Sequence, residues 1–229
     1  MDSESQRQHI FDALSELRHE IPEGVSLVAV SKFHPVEAVK DAYDAGQRLF
    51  GESRVQELVA KIPQLPADIQ WHFIGHLQTN KVRQIVGKVS LIESVDSEKL
   101  LGVIDSESRK AGVVSRVLMQ VHVAREETKF GFYPEELLDF FKEGKSDSLT
   151  NTRICGVMGM ASNTDDTARV SADFRAISDI FRNISQEYGA SLPDFRLLSM
   201  GMSGDWPLAV EQGANIIRIG TRIFGLREY

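Results

Sequence analysis

The stretch Val25-Ser26-Leu27-Val28-Ala29-Val30-Ser31-Lys32 is an apolar, β-branched run that stops at a lysine and gives way to Phe33-His34-Pro35. It reads as a buried strand with a chemically capable tip. Strand side chains alternate between faces, so Val28, Val30 and Lys32 share one side while Leu27, Ala29 and Ser31 share the other. Lys32 therefore continues an interior row. An ammonium at the mouth of an apolar interior loses hydration, which lowers its pKa and raises the share of free amine, the form that attacks a carbonyl to make a Schiff base. The competing reading is a lysine that snorkels from a strand end to solvent, and the rest of the chain has to decide between the two.

Upstream, Ile10, Leu14, Leu17 and Ile21 recur at helical spacing and predict a helix over 3–20, capped by Ser3 or Ser5. Downstream, Pro35 opens a helix carrying Val36, Val39, Ala42 and Tyr43 and closed by Gly46. Further strands are predicted over 49–53, 71–75, 91–95, 116–123, 154–160, 195–200 and 215–220. The helices between them include 55–62, one starting at Pro134, and a long one over 164–188 with Val170, Phe174, Ile177, Phe181, Ile184 and Tyr188 on its buried face. Eight strand–helix alternations without a flexible linker predict an α/β fold, a single (β/α)8 TIM barrel domain over 1–229 with an extra N-terminal helix. An open doubly wound sheet would carry a glycine fingerprint in its first turn, and none is present.

Composition narrows the function classes. The 229 residues carry 42% hydrophobic and 26% charged side chains, ordinary for a globular protein. A net charge of −7 and the lack of a basic stretch argue against nucleic acid. The charged start, Met1-Asp2-Ser3-Glu4, is not a signal peptide, and no apolar run approaches a membrane span. Cys155 is the single cysteine, so no internal disulfide forms; it reads as a small buried strand residue, and the expected location is cytoplasmic.

In a barrel of this kind chemistry gathers at the C-terminal ends of the strands, with phosphate bound by the loops after strands seven and eight. After strand seven comes Met200-Gly201-Met202-Ser203-Gly204-Asp205, and after strand eight Gly220-Thr221-Arg222. Ser203, Gly220 and Thr221 supply hydroxyls and backbone donors for a phosphate cup, although these glycines also suit plain turns. Asp205 is an unhelpful charge there and has to point away. Arg218 shares parity with Ile216 and Gly220 and is expected to project into the barrel, where a guanidinium needs an acceptor. Glu52 is one candidate; a ligand's ring nitrogen, held neutral because arginine does not give up its proton, is the other. A Schiff-base lysine, an arginine for a pyridine nitrogen and a phosphate cup together describe pyridoxal 5′-phosphate (PLP). Ser53, His76, Ser94, His122 and Met160 are the remaining strand tips. His72 reads as a core histidine bonded to backbone, His76 as opening a loop that touches the ligand, and neither as a metal ligand. Glu126-Glu127-Thr128-Lys129 is a solvated loop placed where it could cover the site.

These residues resemble a known family. Leu27-Val-Ala-Val-Ser-Lys32, Phe50-Gly-Glu-Ser53-Arg-Val-Gln-Glu57, His72-Phe-Ile-Gly-His-Leu-Gln-Thr-Asn-Lys81, Gly156-Val-Met-Gly-Met160, Leu198-Ser-Met-Gly-Met-Ser203 and Arg218-Ile-Gly-Thr221 are similar, in order and over nearly the whole chain, to motifs of the pyridoxal phosphate homeostasis proteins. These, the YggS or PROSC family, are related to the N-terminal barrel of alanine racemases. The resemblance implies that Lys32 holds PLP, that Arg218 faces the pyridine nitrogen, and that Ser203, Gly220 and Thr221 bind phosphate with Ser199 and Met200 close by. It departs from the family at Ser53 and His122, where asparagines are usual, which puts Ser53 in doubt as a direct ligand.

The resemblance also implies a carrier and buffer of PLP in vitamin B6 balance, with PLP-dependent apoenzymes as possible recipients, rather than a robust enzyme. Related racemases add a β-rich domain with a catalytic tyrosine; here Tyr229 follows Gly220 by nine residues, which leaves no room for one. The expected oligomeric state is a monomer or weak homodimer. A Schiff-base aldolase acting on a phosphorylated sugar, a weak amino-acid racemase and a pure interaction module are the alternatives.

Overall fold

The computed structural model describes residues 3–124 and 130–225. Helix α1 (Ser3–Glu20) leads into β1 (Ser26–Val30), and strands and helices then alternate: α2 (Val36–Asp44), β2 (Leu49–Glu52), α3 (Val55–Lys61), β3 (Gln70–Phe73), α4 (Val82–Ile85), β4 (Leu91–Val95), α5 (Glu98–Ala111), β5 (Ser115–Val121), α6 (Pro134–Lys142), β6 (Thr152–Gly159), α7 (Thr167–Tyr188), β7 (Leu197–Ser199), α8 (Trp206–Glu211), β8 (Ile216–Ile219) and α9 (Thr221–Phe224). The eight strands pair in chain order, all parallel, and β8 returns to β1 to close the barrel. Parallel neighbours need a crossover, and the helices supply it from the outside. Helix α1 packs on α2 and α9.

Alternating side chains divide the core in two. Val28, Leu91, Leu118, Cys155, Met158 and Ile216 fill the interior, while Ala29, Phe50, Phe73, Ile217 and Ile219 belong to the larger cluster shared with the helices. The parity read for Val28 and Ile216 against Ala29, Ile217 and Ile219 is the parity of the fold. Cys155 is fully buried inside the barrel. Beside it the β5–β6 register shifts between Val117 and Leu118, and Gly156 adopts a φ of +150°. A Cβ at that position would lie 1.7 Å from Leu197 O, so the close approach of β6 to β7 requires glycine.

Helix α1 keeps its expected range, and two of the boundaries that differ from expectation do so for clear physical reasons. Strand β1 ends at Val30, although Ser31 N–H still donates to Gly51 O at 3.0 Å, because the chain turns at Phe33 with a φ of +67°. Helix α7 starts at Thr167 rather than 164 because the Asp166 carboxylate accepts the N–H groups of Ala168 and Arg169 and fixes the cap there. Helix α1 already begins at Ser3, which leaves Ser5 inside the first turn. The possible cover at Glu126-Glu127-Thr128-Lys129 lies outside the described residues, as do Met1, Asp2 and Tyr229. No helix among the described residues is long and apolar enough to cross a membrane.

Candidate functional site

Lys32 follows β1 at the C-terminal end of the barrel, and Arg218 lies on the neighbouring strand β8. Val28 of β1 is the register partner of Arg218. Gly220 brings the start of the last loop against the same place, since a Cβ there would meet Val30 O at 3.0 Å. Lys32 is partly buried.

Inside the barrel Arg218 is 5% exposed and two of its five N–H donors are engaged: one Nη donates to Ser199 Oγ at 2.6 Å and the other to Gly159 O at 3.1 Å. The compensating carboxylate is Glu93 of β4, 3.7 Å from the guanidinium and fully buried. Ser199 Oγ donates to one oxygen of Glu93 at 2.6 Å, and His72 Nδ1 meets the other at 2.6 Å. Two expectations are thereby corrected. Glu52 is not the partner of Arg218, because Gly51 occupies the inward position on β2, where a Cβ would be 2.9 Å from Val28 Cγ1, and Glu52 consequently falls on the outer face. His72 is bonded to a carboxylate rather than to backbone. Burial lowers the Arg218 pKa from its ordinary value, against the opposing charges of Glu93 and Asp205. Burial also pushes Glu93 up, but the His72 bond, the charges of His72 and Arg218, and the Ser199 bond outweigh it and leave the carboxyl below the usual range.

A second network lies outside the sheet, under α3. Ser31 Oγ donates to Glu52 Oε1 at 2.7 Å, and the buried Lys61 ammonium donates to Ser31 O at 2.9 Å and to Glu52 and Glu57 at 2.7 Å each. Glu57 also accepts the Phe33 N–H at 2.7 Å. Burial raises the Glu52 pKa despite Lys61, and its Oε2 has no hydrogen-bond partner among the described residues.

On the anion side, Gly201 has a φ of +96° and passes so close to α8 that a Cβ would lie 2.9 Å from Trp206 Cα. Asp205 turns an oxygen back to Met202 N–H at 2.5 Å. Ser203 is partly buried and Thr221 exposed. An open cleft of about 650 Å³ borders this loop, lined in part by Met160, Asn163, Met202 and Gly204. The Ser199 hydroxyl is committed to Glu93 and Arg218, and the Met200 side chain is fully buried in the outer core, so neither side chain presents a vacant polar group to a ligand.

Ser53 is partly buried, and its carbonyl would lie 2.1 Å from a Cβ on Gly75. His76 is exposed at the rim, with Nδ1 2.8 Å from Asp96 and its ring stacked on Phe130 at 3.8 Å between centroids. Ser94 Oγ and His122 Nδ1 are buried without hydrogen-bond partners among the described residues. Glu93 and Lys61 are the residues that sequence reasoning missed. For Glu93 the available signal was a lone carboxylate sharing parity with Leu91 in an otherwise apolar strand.

The amine, the permanent guanidinium donor, the hydroxyls and the glycine approach at Gly220 form a donor set that fits PLP. Comparison with known proteins adds to this. The profile of the alanine racemase N-terminal domain matches residues 6–228. A pyridoxal phosphate homeostasis protein of Aquifex aeolicus is 40% identical over 204 residues, covering 89% of this chain and 87% of that protein. One from Schizosaccharomyces pombe is 39% identical over 206 residues, covering 89% and 84%. PipY of Synechococcus elongatus, solved with PLP bound, is 38% identical with a TM-score of 0.85, covering 94% of this chain and 100% of that chain. With a family profile matching residues 6–228 and relatives 39–40% identical over most of both chains, this chain belongs to the pyridoxal phosphate homeostasis protein family, within the alanine racemase N-terminal domain group.

Proposed function

We propose that this chain binds PLP, joined covalently to Lys32, and acts in the cytoplasm as a carrier and buffer that supplies PLP-dependent apoenzymes. Residues 1–229 form one PLP-binding domain in this reading, a monomer or weak homodimer. The observation that carries it is the pairing of β1, which leads into Lys32, with β8, which carries Arg218, and the approach of Gly220 to Val30 at the same end of the barrel.

When bound, PLP supplies an electrophilic aldehyde carbon and an electron-withdrawing ring. The chain's own residues then divide the work. Lys32 supplies the amine. Arg218, which does not release its proton, donates to the ring nitrogen and keeps it unprotonated. This weakens the ring as an electron sink and suits holding better than turnover. Glu93 and Ser199 fix the guanidinium, while Ser203, Gly220 and Thr221 hold the phosphate. Ser53 and His76 border the mouth, where His76 is steadied by Asp96.

The test is the visible absorption spectrum of purified protein with PLP, before and after borohydride, with mass mapping of the reduced adduct. Wild type should carry the adduct on Lys32 and Lys32→Ala should carry none. An adduct elsewhere, or none in wild type, overturns the covalent assignment. Sedimentation at micromolar concentration checks the oligomeric state, and a dimer that persists on dilution would contradict it.

A further inference from the structure

We propose that Lys61 is a positioning residue for Lys32, acting through the two residues that flank it in the chain; this deepens the PLP reading and rests on it. Lys61 ends helix α3 and is 4% exposed, far from any direct part in the mouth of the barrel. Its ammonium donates to Ser31 O on one side of Lys32, and its acceptor Glu57 takes the Phe33 N–H on the other. Glu52 closes the circuit by accepting from both Lys61 and Ser31 Oγ.

The backbone shows what this circuit is for. Among the described residues Phe33 is the one non-glycine with positive φ, at +67°. A bulky side chain keeps left-handed backbone only where its surroundings over-determine it. Here the N–H is held by Glu57, the ring lies under the Arg54 guanidinium at 4.4 Å, and Ser31 O accepts His34 N–H at 3.1 Å as well as Lys61. Ser31 and Phe33 are both tied to the α3 side, which leaves Lys32 as the residue turned toward the mouth. A buried ionic cluster is a costly way to gain stability alone. One whose contacts bracket a reactive amine from both sides fixes where that amine stands.

The decisive experiment compares wild type, Glu57→Gln and Lys61→Met by two readouts. The first is hydrogen exchange of the Phe33 amide in ligand-free protein. The second is the rate of borohydride-trappable adduct formation on Lys32 with PLP, together with the induced circular dichroism of the bound chromophore. Glu57→Gln keeps size and an acceptor but loses the charge that Lys61 binds. It should speed Phe33 exchange by about tenfold or more, slow adduct formation about tenfold and alter the dichroic band, since small misplacements of a reacting group carry costs of this order. Lys61→Met should move all three further in the same direction. Wild-type exchange, rate and band in Glu57→Gln would overturn the proposal, even if Lys61→Met fails to fold. Should wild type form no adduct on Lys32, the PLP reading fails, and Phe33 exchange alone still decides whether the circuit sets this turn.

Discussion

Two buried charge networks grip the same barrel from opposite faces of its sheet. The inner one joins His72, Glu93, Ser199 and Arg218 across four strands; the outer one joins Ser31, Glu52, Glu57 and Lys61 between the sheet and α3. They differ in access to water. In the inner set the Glu93 side chain is fully buried and that of Arg218 is 5% exposed, whereas Glu57 in the outer set is 20% exposed. They also differ in the state of their central carboxylate, which is held below the usual range at Glu93 and above it at Glu52. The inner network therefore keeps a fixed charge pair beneath the mouth, where a ligand's ring nitrogen would meet Arg218. The outer one carries a carboxyl whose pKa burial raises, and it serves the backbone around Lys32.

The largest test of that contrast is removal of one inner partner. Glu93→Leu and Arg218→Met should each destabilise the fold by about 3–5 kcal/mol, because each leaves a charge buried without compensation. The double variant should fall short of the sum by on the order of 2–3 kcal/mol, read as the coupling in urea unfolding. Glu57→Ala in the outer set should cost about 1–2 kcal/mol, since the groups it leaves behind keep other partners or reach water. Equal costs for Glu93→Leu and Glu57→Ala would erase the distinction between the networks.

How much of this could be read from the chain follows the same division. Strand parity placed Arg218 on the inner side, because alternation is local and survives any arrangement of the strands. Strand ends likewise marked Ser203, Gly220 and Thr221, since the barrel collects its loops at one face. The partners were not legible. Glu93 meets Arg218 across the barrel, a pairing set by the register and stagger of β4, β7 and β8 rather than by spacing in the chain. Glu52 was assigned to the wrong face because the inward place on β2 belongs to Gly51, whose role is seen only once Val28 is packed against it. Lys61 looked like any basic residue in the last turn of a helix, and its burial depends on how α3 lies on the sheet. Ser199 and Met200 were expected close to the phosphate, and their side chains turn to opposite sides, one to Arg218 and one to the outer core.

A gentler pair of substitutions sharpens the electrostatic half of the comparison. At neutral pH Glu93→Gln should cost roughly 2–3 kcal/mol, the scale of losing hydrogen bonds to charged groups. Glu52→Gln should cost about 1 kcal/mol or less, because burial penalises the charged carboxylate there, the amide keeps an acceptor for Ser31 and Lys61, and Oε2 has no partner to lose.

Their pH dependence should then run in opposite directions. A carboxylate whose pKa is lower in the folded than in the unfolded chain contributes stability that is fully present above the unfolded value and disappears as pH falls through the folded value. Glu93 is of this kind, so the advantage of wild type over Glu93→Gln should hold at neutral pH and shrink only as acid drives the pH below the usual carboxylate range, about 4. A carboxyl whose folded pKa is raised contributes stability that is fully present below the unfolded value and lost as pH rises through the folded one. Glu52 is of that kind, so between neutrality and the usual carboxylate range wild type should gain on Glu52→Gln as the pH falls. Urea unfolding at intervals of pH from 7 to about 4 measures both gaps on one axis. If the two move together, the networks share one electrostatic character, and Glu52 is a second stabilised anion rather than a carboxyl whose pKa burial raises beside the turn that carries Lys32.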